Sequence, residues 1–398
     1  MSALGPMSPT ATRRRRRPPA LLLLGAVLVA GVVAGLLLAA GGSEPLAPGR
    51  GPGADPLAYR SDQEATLQQR AARGLSHVLY AKSPGGAVAT AARVARFRPR
   101  VDAAARRYGA APDMLEAIVL LGSAGRPGAT ASSDVSGAAG LTQILAGTAT
   151  SLLGMHVDLA SSKRLTKLIL RADRKGRMGA AALLRARRRR VDDRFDPAKA
   201  LSGTGRYLQF ARGQLGGRND LAVESYHMGV GNLQGALRAY GGGNGVSYTR
   251  LYFDSTPLRH ADAYGRLAAL GDDSSTYLWR VLAAREIMRL YRQNPAELTR
   301  LAALHARKAT AEEVLHPLAS TRVFATPAAV AAARASGQLR SLPANAADLF
   351  LRIDPGMGQL APRLHRRPSL YRALRPESLA VLVYIAAGVH EISGESPL

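Results

Sequence analysis

Hydrophobic residues recur three and four positions apart over most of the chain after residue 60, which is the spacing of amphipathic α-helices. Alternating runs of β-branched residues, typical of strands, are scarce. We therefore predict a mainly α protein without solenoid repeats. Helices are predicted for SDQEATLQQRAARGLSHVLYA, RPRVDAAARRYG, APDMLEAIVLL, GLTQILAGTATSLLG, the basic stretch from Lys163 to Arg194, DPAKALSGTGRYLQFARGQLG, LAVESYHMG and SSTYLWRVLAAREIMRLYRQN.

Local signals predict where several helices begin and end. Ser61 with Glu64 three residues later fits a capping box, and Asp113 is a plausible N-cap. The SPGG sequence from Ser83 to Gly86 is expected to break the first helix, and the next is expected to end near Gly109. Small residues between Ser123 and Gly137 predict a loop, and residues 241–245 a glycine-rich loop.

A different pattern precedes these helices. Residues 20–40, from Ala20 to Ala40, carry no charged or polar side chain and would span about 31 Å as a helix, close to the ~30 Å of a bilayer core. A cleaved signal peptide is the alternative, but its apolar region is usually only ~7–15 residues. We predict an uncleaved signal anchor with the five arginines from Arg13 to Arg17 on the cytoplasmic side, so that the bulk of a single-pass membrane protein is extracytoplasmic.

Charge and composition narrow the classes of function. The 398 residues include 54 Lys and Arg against 28 Asp and Glu, a formal net charge of +26, and no cysteine, which excludes disulfides, thiolate nucleophiles and Cys-ligated zinc. Five positive charges lie in the first arginine run. The stretch from Lys163 to Arg194 has 13 basic residues against three aspartates, a local net charge of +10.

An exported chain does not ordinarily meet nucleic acid, so nucleic-acid binding is the weakest hypothesis. The basic stretch is either a solvated helix face or a patch that binds anionic wall polymers or lipid headgroups. Familiar catalytic signatures are absent: there is no H-E-x-x-H, no Walker loop and no G-x-S-x-G, and the eight histidines are scattered. Gly229-Val230-Gly231 follows a helix rather than a strand, so it does not indicate dinucleotide binding. We expect neither a metal nor a cofactor.

Two segments carry a recognisable pattern. AIVLLGSAGRPGA…SGAAGLTQILAGTAT runs from Ala117 to Thr150, and ESYHMGVGN runs from Glu224 to Asn232. Their order and separation resemble the signature of soluble lytic transglycosylases and goose-type lysozymes, in which a helix ending in Glu-Ser is followed by G-A-x-G-L-M-Q and then by A-Y-N-A-G-P-G-N. The resemblance covers about Pro99 to Asp254 and implies a lysozyme-like domain that acts on the glycan strands of peptidoglycan.

The resemblance assigns candidate sugar contacts. Gly137 and Gly140 would let the backbone approach a sugar closely, Gln143 offers an amide to an N-acetyl group or a hydroxyl, and Tyr226 offers a flat face with a polar tip. Read without the motifs, Tyr226 would be a core aromatic and Gln143 a surface residue. The predicted substrate-binding residues are Ser123, Gly140, Gln143, Tyr226, His227 and Gly229.

The chain departs from the family at the catalytic position. In the family, a glutamate protonates the glycosidic oxygen and then acts as a base, while the C6 hydroxyl of muramic acid attacks C1 to give a 1,6-anhydro product. Here Gly122 occupies that position, which read locally is also a helix C-cap. Glu116, six residues earlier, lies on another face of the helix. Glu224 is the remaining candidate for a relocated carboxylate, and His227 for a histidine acid.

Together, the charge, hydropathy and motif patterns divide the chain into five regions. These are a basic cytoplasmic tail (1–19), a transmembrane anchor (20–40), a Pro/Gly-rich linker (41–60), a lytic transglycosylase-like domain (61–255) and an accessory helical region (256–398). The apolar segment near the end is either a docking helix or the opening of a further wall-active module. The predicted function is glycan-strand binding with cleavage between MurNAc and GlcNAc, its activity in question because of Gly122. The alternative is a catalytically inactive wall-binding scaffold.

Overall fold

The computed structural model of the protein describes residues 57–132, 134–317, 319, 323–342, 346–352 and 372–394. The basic tail, the predicted anchor and most of the predicted linker lie outside these ranges. In the described part, no helix combines the length and apolar character that crossing a membrane requires. The prediction of a mainly α protein is confirmed.

Seventeen α-helices lie in the described ranges. In chain order they are α1 (Glu64–Ala81), α2 (Ala87–Ala95), α3 (Arg98–Tyr108), α4 (Pro112–Ser123), α5 (Ala146–Ser151), α6 (Leu159–Arg174), α7 (Met178–Val191), α8 (Pro197–Gln214), α9 (Asn219–Met228), α10 (Val230–Tyr240), α11 (Tyr248–Asp254), α12 (Ala261–Ala268), α13 (Tyr277–Gln293), α14 (Pro295–Ala306), α15 (Ala311–Leu315), α16 (Pro327–Ala335) and α17 (Pro376–Ser393). The short strands β1 (Arg340–Ser341) and β2 (Ala373–Leu374) pair antiparallel.

The main hydrophobic core surrounds α13. This helix packs against α1, α2 and α4, and Trp279, Val281 and Ile287 on it are fully buried. The same core takes in side chains from α1 to α5 and from α8 to α14, but none from α6 or α7. It therefore continues across the predicted boundary between residues 255 and 256, because α12, α13 and α14 all contribute to it.

The last helix belongs to a second, smaller core. Val383, Ala386 and Ala387 of α17 are buried together with Leu258 and Leu351. Leu258 comes from the segment between α11 and α12, so α17 docks against the chain that follows the predicted transglycosylase-like region.

The helix end predicted from a glycine is confirmed, whereas the two predicted N-terminal caps are wrong. Gly109 ends α3 in the left-handed conformation, as predicted. The capping box at Ser61 is wrong: a 3₁₀ turn occupies Ser61–Gln63, and the Glu64 carboxylate accepts a hydrogen bond from the Tyr59 hydroxyl at 2.5 Å. The predicted cap at Asp113 is also wrong, because this residue lies inside the first turn of α4 and pairs with Arg98 at 2.7 Å.

The segment GLTQILAGTATSLLG is helical only in its middle. Residues 140–143 form a turn between Ala139 and Ile144, which pair in a β-bridge. The helix α5 covers only Ala146–Ser151. The turn thus holds Thr142 and Gln143 outside any helix, where their side chains are free to point towards α4 and α8.

Candidate functional site

Gly122 lies in the last turn of α4 and faces the turn at residues 140–143. The helix continues through Ser123, and Ala124, at a φ of 53°, is the left-handed C-cap. The prediction that Gly122 is itself the C-cap is therefore wrong. A Cβ on Gly122 would lie 3.3 Å from Cγ of Gln143 and 3.5 Å from the carbonyl carbon of Thr142. Position 122, where the resemblance places an acid, is thus adjacent to the predicted sugar-binding amide.

Gln143 is held in an uncommon backbone conformation. Its φ is 57°, in the left-handed region that residues with side chains seldom adopt. The side-chain amide nitrogen donates to the carbonyl oxygens of Gly140 at 2.8 Å and Ala129 at 3.3 Å. These bonds orient the amide, and they use its donor group, so its oxygen is the atom available to a ligand. Strain of this kind is often found at functional sites.

Tyr226 connects the second motif segment, Glu224–Asn232, to the same turn. Its hydroxyl donates to the carbonyl oxygen of Thr142 at 3.0 Å and lies 3.1 Å from the hydroxyl of Thr204. Its ring contacts Tyr207 edge-on at a centroid distance of 5.2 Å and stacks on Tyr277 at 6.2 Å. Burial raises the pKa of Tyr226 to about 12. We call the surface formed by Gly122, Gln143 and Tyr226 the Gly122 site.

Arg194 holds the loop that carries this site. Its guanidinium is fully buried, pairs with Asp192 at 2.8 Å and donates to the carbonyl oxygens of Val135 at 2.7 Å and Gly137 at 2.9 Å. Gly140 has a φ of 83°, and a Cβ there would overlap the carbonyl oxygen of Arg194. At Gly140 the close approach of a backbone is therefore made by the protein itself, whereas a Cβ on Gly137 would meet only an ordinary contact at 3.6 Å.

The other predicted sugar contacts differ from one another in exposure and in hydrogen bonding. His227 is exposed; its Nδ1 lies 2.7 Å from the hydroxyl of Ser274, its ring stacks on Tyr277 at 5.2 Å, and partial burial lowers its pKa. Gly229, at a φ of 86°, joins α9 to α10. Ser123 is buried and bonded to the backbone of Val119 and Arg126, so it is a structural residue in this conformation.

Both glutamates considered as substitutes for an acid at position 122 are buried and bonded elsewhere. Glu116 is fully buried on the other side of α4 and pairs with Arg98 at 3.1 Å and with Arg292. Glu224 is fully buried as well, and its Oε2 accepts the backbone N–H of Leu278 in the first turn of α13 at 2.7 Å. Burial raises the pKa of Glu224 to about 8. A carboxyl enclosed in this way cannot reach a glycosidic oxygen without a change in the fold.

A second group of polar side chains lies around His227. Ligand atoms of His227, Asp272 and Asp273 come within 4.8 Å of one another, all on exposed residues. Asp272 accepts the backbone N–H of Ser274 at 2.8 Å, and Asp273 pairs with Arg280. Because both carboxylates are already engaged and one partner is an arginine, this spacing by itself does not assign a cation.

Sequence reasoning missed four residues that build the site. Thr142, Thr204 and Tyr277 position Tyr226, and Arg194 positions the 134–144 loop. Thr142 lies within the quoted motif, so its position was a usable signal. Tyr277 and Arg194 reach the site only through tertiary packing.

No family model, no curated protein and no solved structure significantly matches the chain. The function of the protein is therefore inferred from the residues of the Gly122 site.

Proposed function

We propose that the protein binds glycan strands of peptidoglycan at the Gly122 site and does not cleave them by the proton-transfer route of lytic transglycosylases. The observation that carries this proposal is that residues of both motif segments meet around a position without a carboxylate. Gly122 adjoins Gln143, and Tyr226 bonds to Thr142, although these residues come from three elements up to about a hundred positions apart in the chain.

The arrangement suits binding. The Gln143 amide is fixed by its two hydrogen bonds, so its oxygen can accept from a sugar hydroxyl or N-acetyl N–H with little loss of side-chain freedom. Tyr226 and the exposed His227 both stack on the buried ring of Tyr277, which fixes the orientation of two aromatic rings of the kind that pack against sugars. These features support a carbohydrate ligand.

The arrangement does not suit acid catalysis. Breaking a glycosidic bond requires a proton donor within hydrogen-bonding distance of the leaving oxygen, and such a donor contributes ~10²–10⁴-fold to the rate. Gly122 has no side chain to supply one, and Glu116 and Glu224 are committed to buried partners. We therefore propose a catalytically inactive, wall-binding role, consistent with the predicted extracytoplasmic location.

The test uses purified sacculi. We expect the wild-type protein to sediment with sacculi and to release no 1,6-anhydro-muropeptides. Gly122→Glu should produce them, because the nearest atom to a new Cβ is Gln143 Cγ at 3.3 Å, a contact that a shift of a few tenths of an ångström relieves. Gln143→Asn, which tolerates the left-handed backbone but shortens the amide, should weaken sedimentation about three- to tenfold, the value of one hydrogen bond. Gln69→Asn, on the exposed face of α1, is the matched control.

The outcomes separate the alternatives. Release of 1,6-anhydro product by the wild type would show an active transglycosylase and overturn the inactive role. Failure of the wild type to sediment would overturn glycan binding altogether. A folded, sacculus-binding Gly122→Glu variant without activity would show that the assignment of position 122 to the acid is wrong.

A further inference from the structure

The helices α6 and α7 form a hairpin with an exposed tip. The two helices pack mainly against each other, and Leu165, Ile169 and Ala181 on them are buried. At the base of the hairpin, α7 contacts the 3₁₀ turn Asp193–Phe195. Gly176, at a φ of 67°, makes the tight turn between them. Every residue from 174 to 180 is exposed, so the hairpin presents its tip to its surroundings.

The hairpin carries most of the basic stretch on its surface. Two of the arginines are not available: Arg194 is buried under the 134–144 loop, and Arg188 packs over the Phe195 ring at 3.6 Å. Asp173 is the one acidic residue in residues 159–191 and pairs with Arg185. Nine basic residues remain exposed: Arg164, Lys167, Arg171, Arg174, Lys175, Arg177, Arg187, Arg189 and Arg190.

Large apolar side chains are exposed among these charges. Met178 at the tip is 64% exposed and Leu183, further along α7, is 69% exposed, while Leu170 on α6 is 46% exposed. Leu183 lies on the face of α7 opposite Ala181 and Arg188, which are buried. The helix packing in the described part of the chain leaves these three side chains without cover.

We propose that the tip of the α6–α7 hairpin docks on the surface of an anionic phospholipid bilayer. Basic side chains are drawn to anionic headgroups, and exposed Leu and Met side chains gain free energy when they enter the boundary between headgroups and acyl chains. Both features occur on one element, and no unpaired acid opposes them. The proposal does not depend on glycan binding at the Gly122 site.

The apolar side chains distinguish a bilayer from an anionic wall polymer. A hydrated polyanion would attract the nine exposed basic residues equally well, but it offers no apolar phase for Met178 and Leu183. The length of the preceding chain also fits a bilayer. If residues 20–40 are the predicted anchor, only 23 residues separate it from the start of α1, which keeps the hairpin at a high effective concentration near the membrane.

The test exploits the absence of cysteine from the chain. An Ala180→Cys variant of the full chain carries an environment-sensitive dye at the tip, and an Ala303→Cys variant carries the same dye on the exposed face of α14. Both are reconstituted with vesicles of phosphatidylcholine alone or mixed with phosphatidylglycerol. We expect the tip dye to shift to shorter wavelength and to become shielded from a water-soluble quencher only in the anionic vesicles, and the α14 dye to remain unchanged.

Two sets of substitutions identify the contacts. Combined Arg174→Gln, Lys175→Gln and Arg177→Gln should abolish the shift, as should 0.5 M salt, roughly the regime in which exposed charges are screened. Combined Met178→Ser and Leu183→Ser should abolish it without changing the net charge. All these positions are exposed, and retained helical circular dichroism confirms that the variants are folded.

Three results would overturn the proposal. One is an equal shift in both kinds of vesicle, and another is no shift in either. The third is retention of the chain by a soluble glycerol phosphate polymer, undiminished by the two serine substitutions, with no shift in anionic vesicles, which would assign the hairpin to wall polymers instead.

Discussion

Glu224 lies two residues before Tyr226 in the chain, yet its carboxyl group is enclosed at the N-terminus of α13. The backbone N–H of Leu278 bonds to Oε2 and favours the ionised form, but burial disfavours it more strongly, and the pKa rises from 4.5 to about 8. The neighbouring Tyr226 instead reaches the Gly122 site. Positions two apart in one motif thus divide between core and site, because their side chains point about 200° apart around the helix.

The raised pKa of Glu224 predicts how stability depends on pH. The folded protein retains the proton between about pH 4.5 and 8, where the unfolded chain has lost it, so this contribution is complete below pH 4.5 and is lost as pH rises towards 8. Glu224→Gln keeps an oxygen for Leu278 and cannot ionise. We expect the free energy of unfolding of the wild type, relative to Glu224→Gln, to fall by roughly 2 kcal/mol between pH 5.5 and 7.5.

Urea unfolding followed by the fluorescence of Trp279 measures this difference. The histidines titrate in both proteins, so their contributions cancel in the comparison. A difference between the two proteins that stays constant with pH would show that Glu224 is ionised in the folded state throughout.

Helices of this protein begin in ways that short motifs did not predict. The Ser61 and Glu64 pair matches a capping box but makes no cap bond, whereas Asp196 caps α8 by accepting the N–H groups of Ala198 at 2.9 Å and Lys199 at 3.0 Å. At Ser61 the incoming chain instead places Tyr59 on Glu64. A capping motif indicates which hydrogen bonds the first turn of a helix can make. The path of the preceding chain determines which of these bonds form.

These two helix starts predict different costs of substitution. Asp196→Ala removes both cap bonds of α8 and should lower the free energy of unfolding by about 1 kcal/mol, while Asp196→Asn should lower it by less. Ser61→Ala should change it by less than about 0.5 kcal/mol, because no cap bond is lost. Chemical denaturation of the three variants at one pH tests the ranking, and a larger loss for Ser61→Ala than for Asp196→Ala would contradict it.

At the scale of the whole molecule, α13 is the helix around which the main hydrophobic core is packed. It supplies Trp279 and other fully buried side chains to the main core and the N–H that binds Glu224, although it begins 23 residues after Asp254, where the motif resemblance ends. The main core therefore extends beyond the two motif segments, through α14.

This organisation predicts the outcome of two truncations. A chain ending after residue 255 lacks α13, so the main core loses its central helix, and we expect little helical circular dichroism and no cooperative unfolding. A chain ending after residue 308 keeps α13 and α14 and should unfold cooperatively, near the midpoint of the full chain. A cooperative transition in the shorter chain would instead establish residue 255 as a true domain boundary.

Properties that depend on neighbouring residues could be predicted from the sequence. Apolar spacing predicted the mainly α fold, glycine predicted the end of α3, and position 122 could be read as lacking a carboxylate. These follow from helical periodicity and from the chemistry of single residues, which need no knowledge of distant contacts.

Contacts between residues far apart in the sequence were determined only by the tertiary structure. It buries Arg194 beneath the 134–144 loop rather than adding it to the basic surface, encloses Glu224 at α13 and brings Gly122, Gln143 and Tyr226 together. The physical reason is that burial and charge pairing depend on which segments meet in space. A basic run or a glutamate in a motif has the same local sequence whether the fold exposes it or covers it.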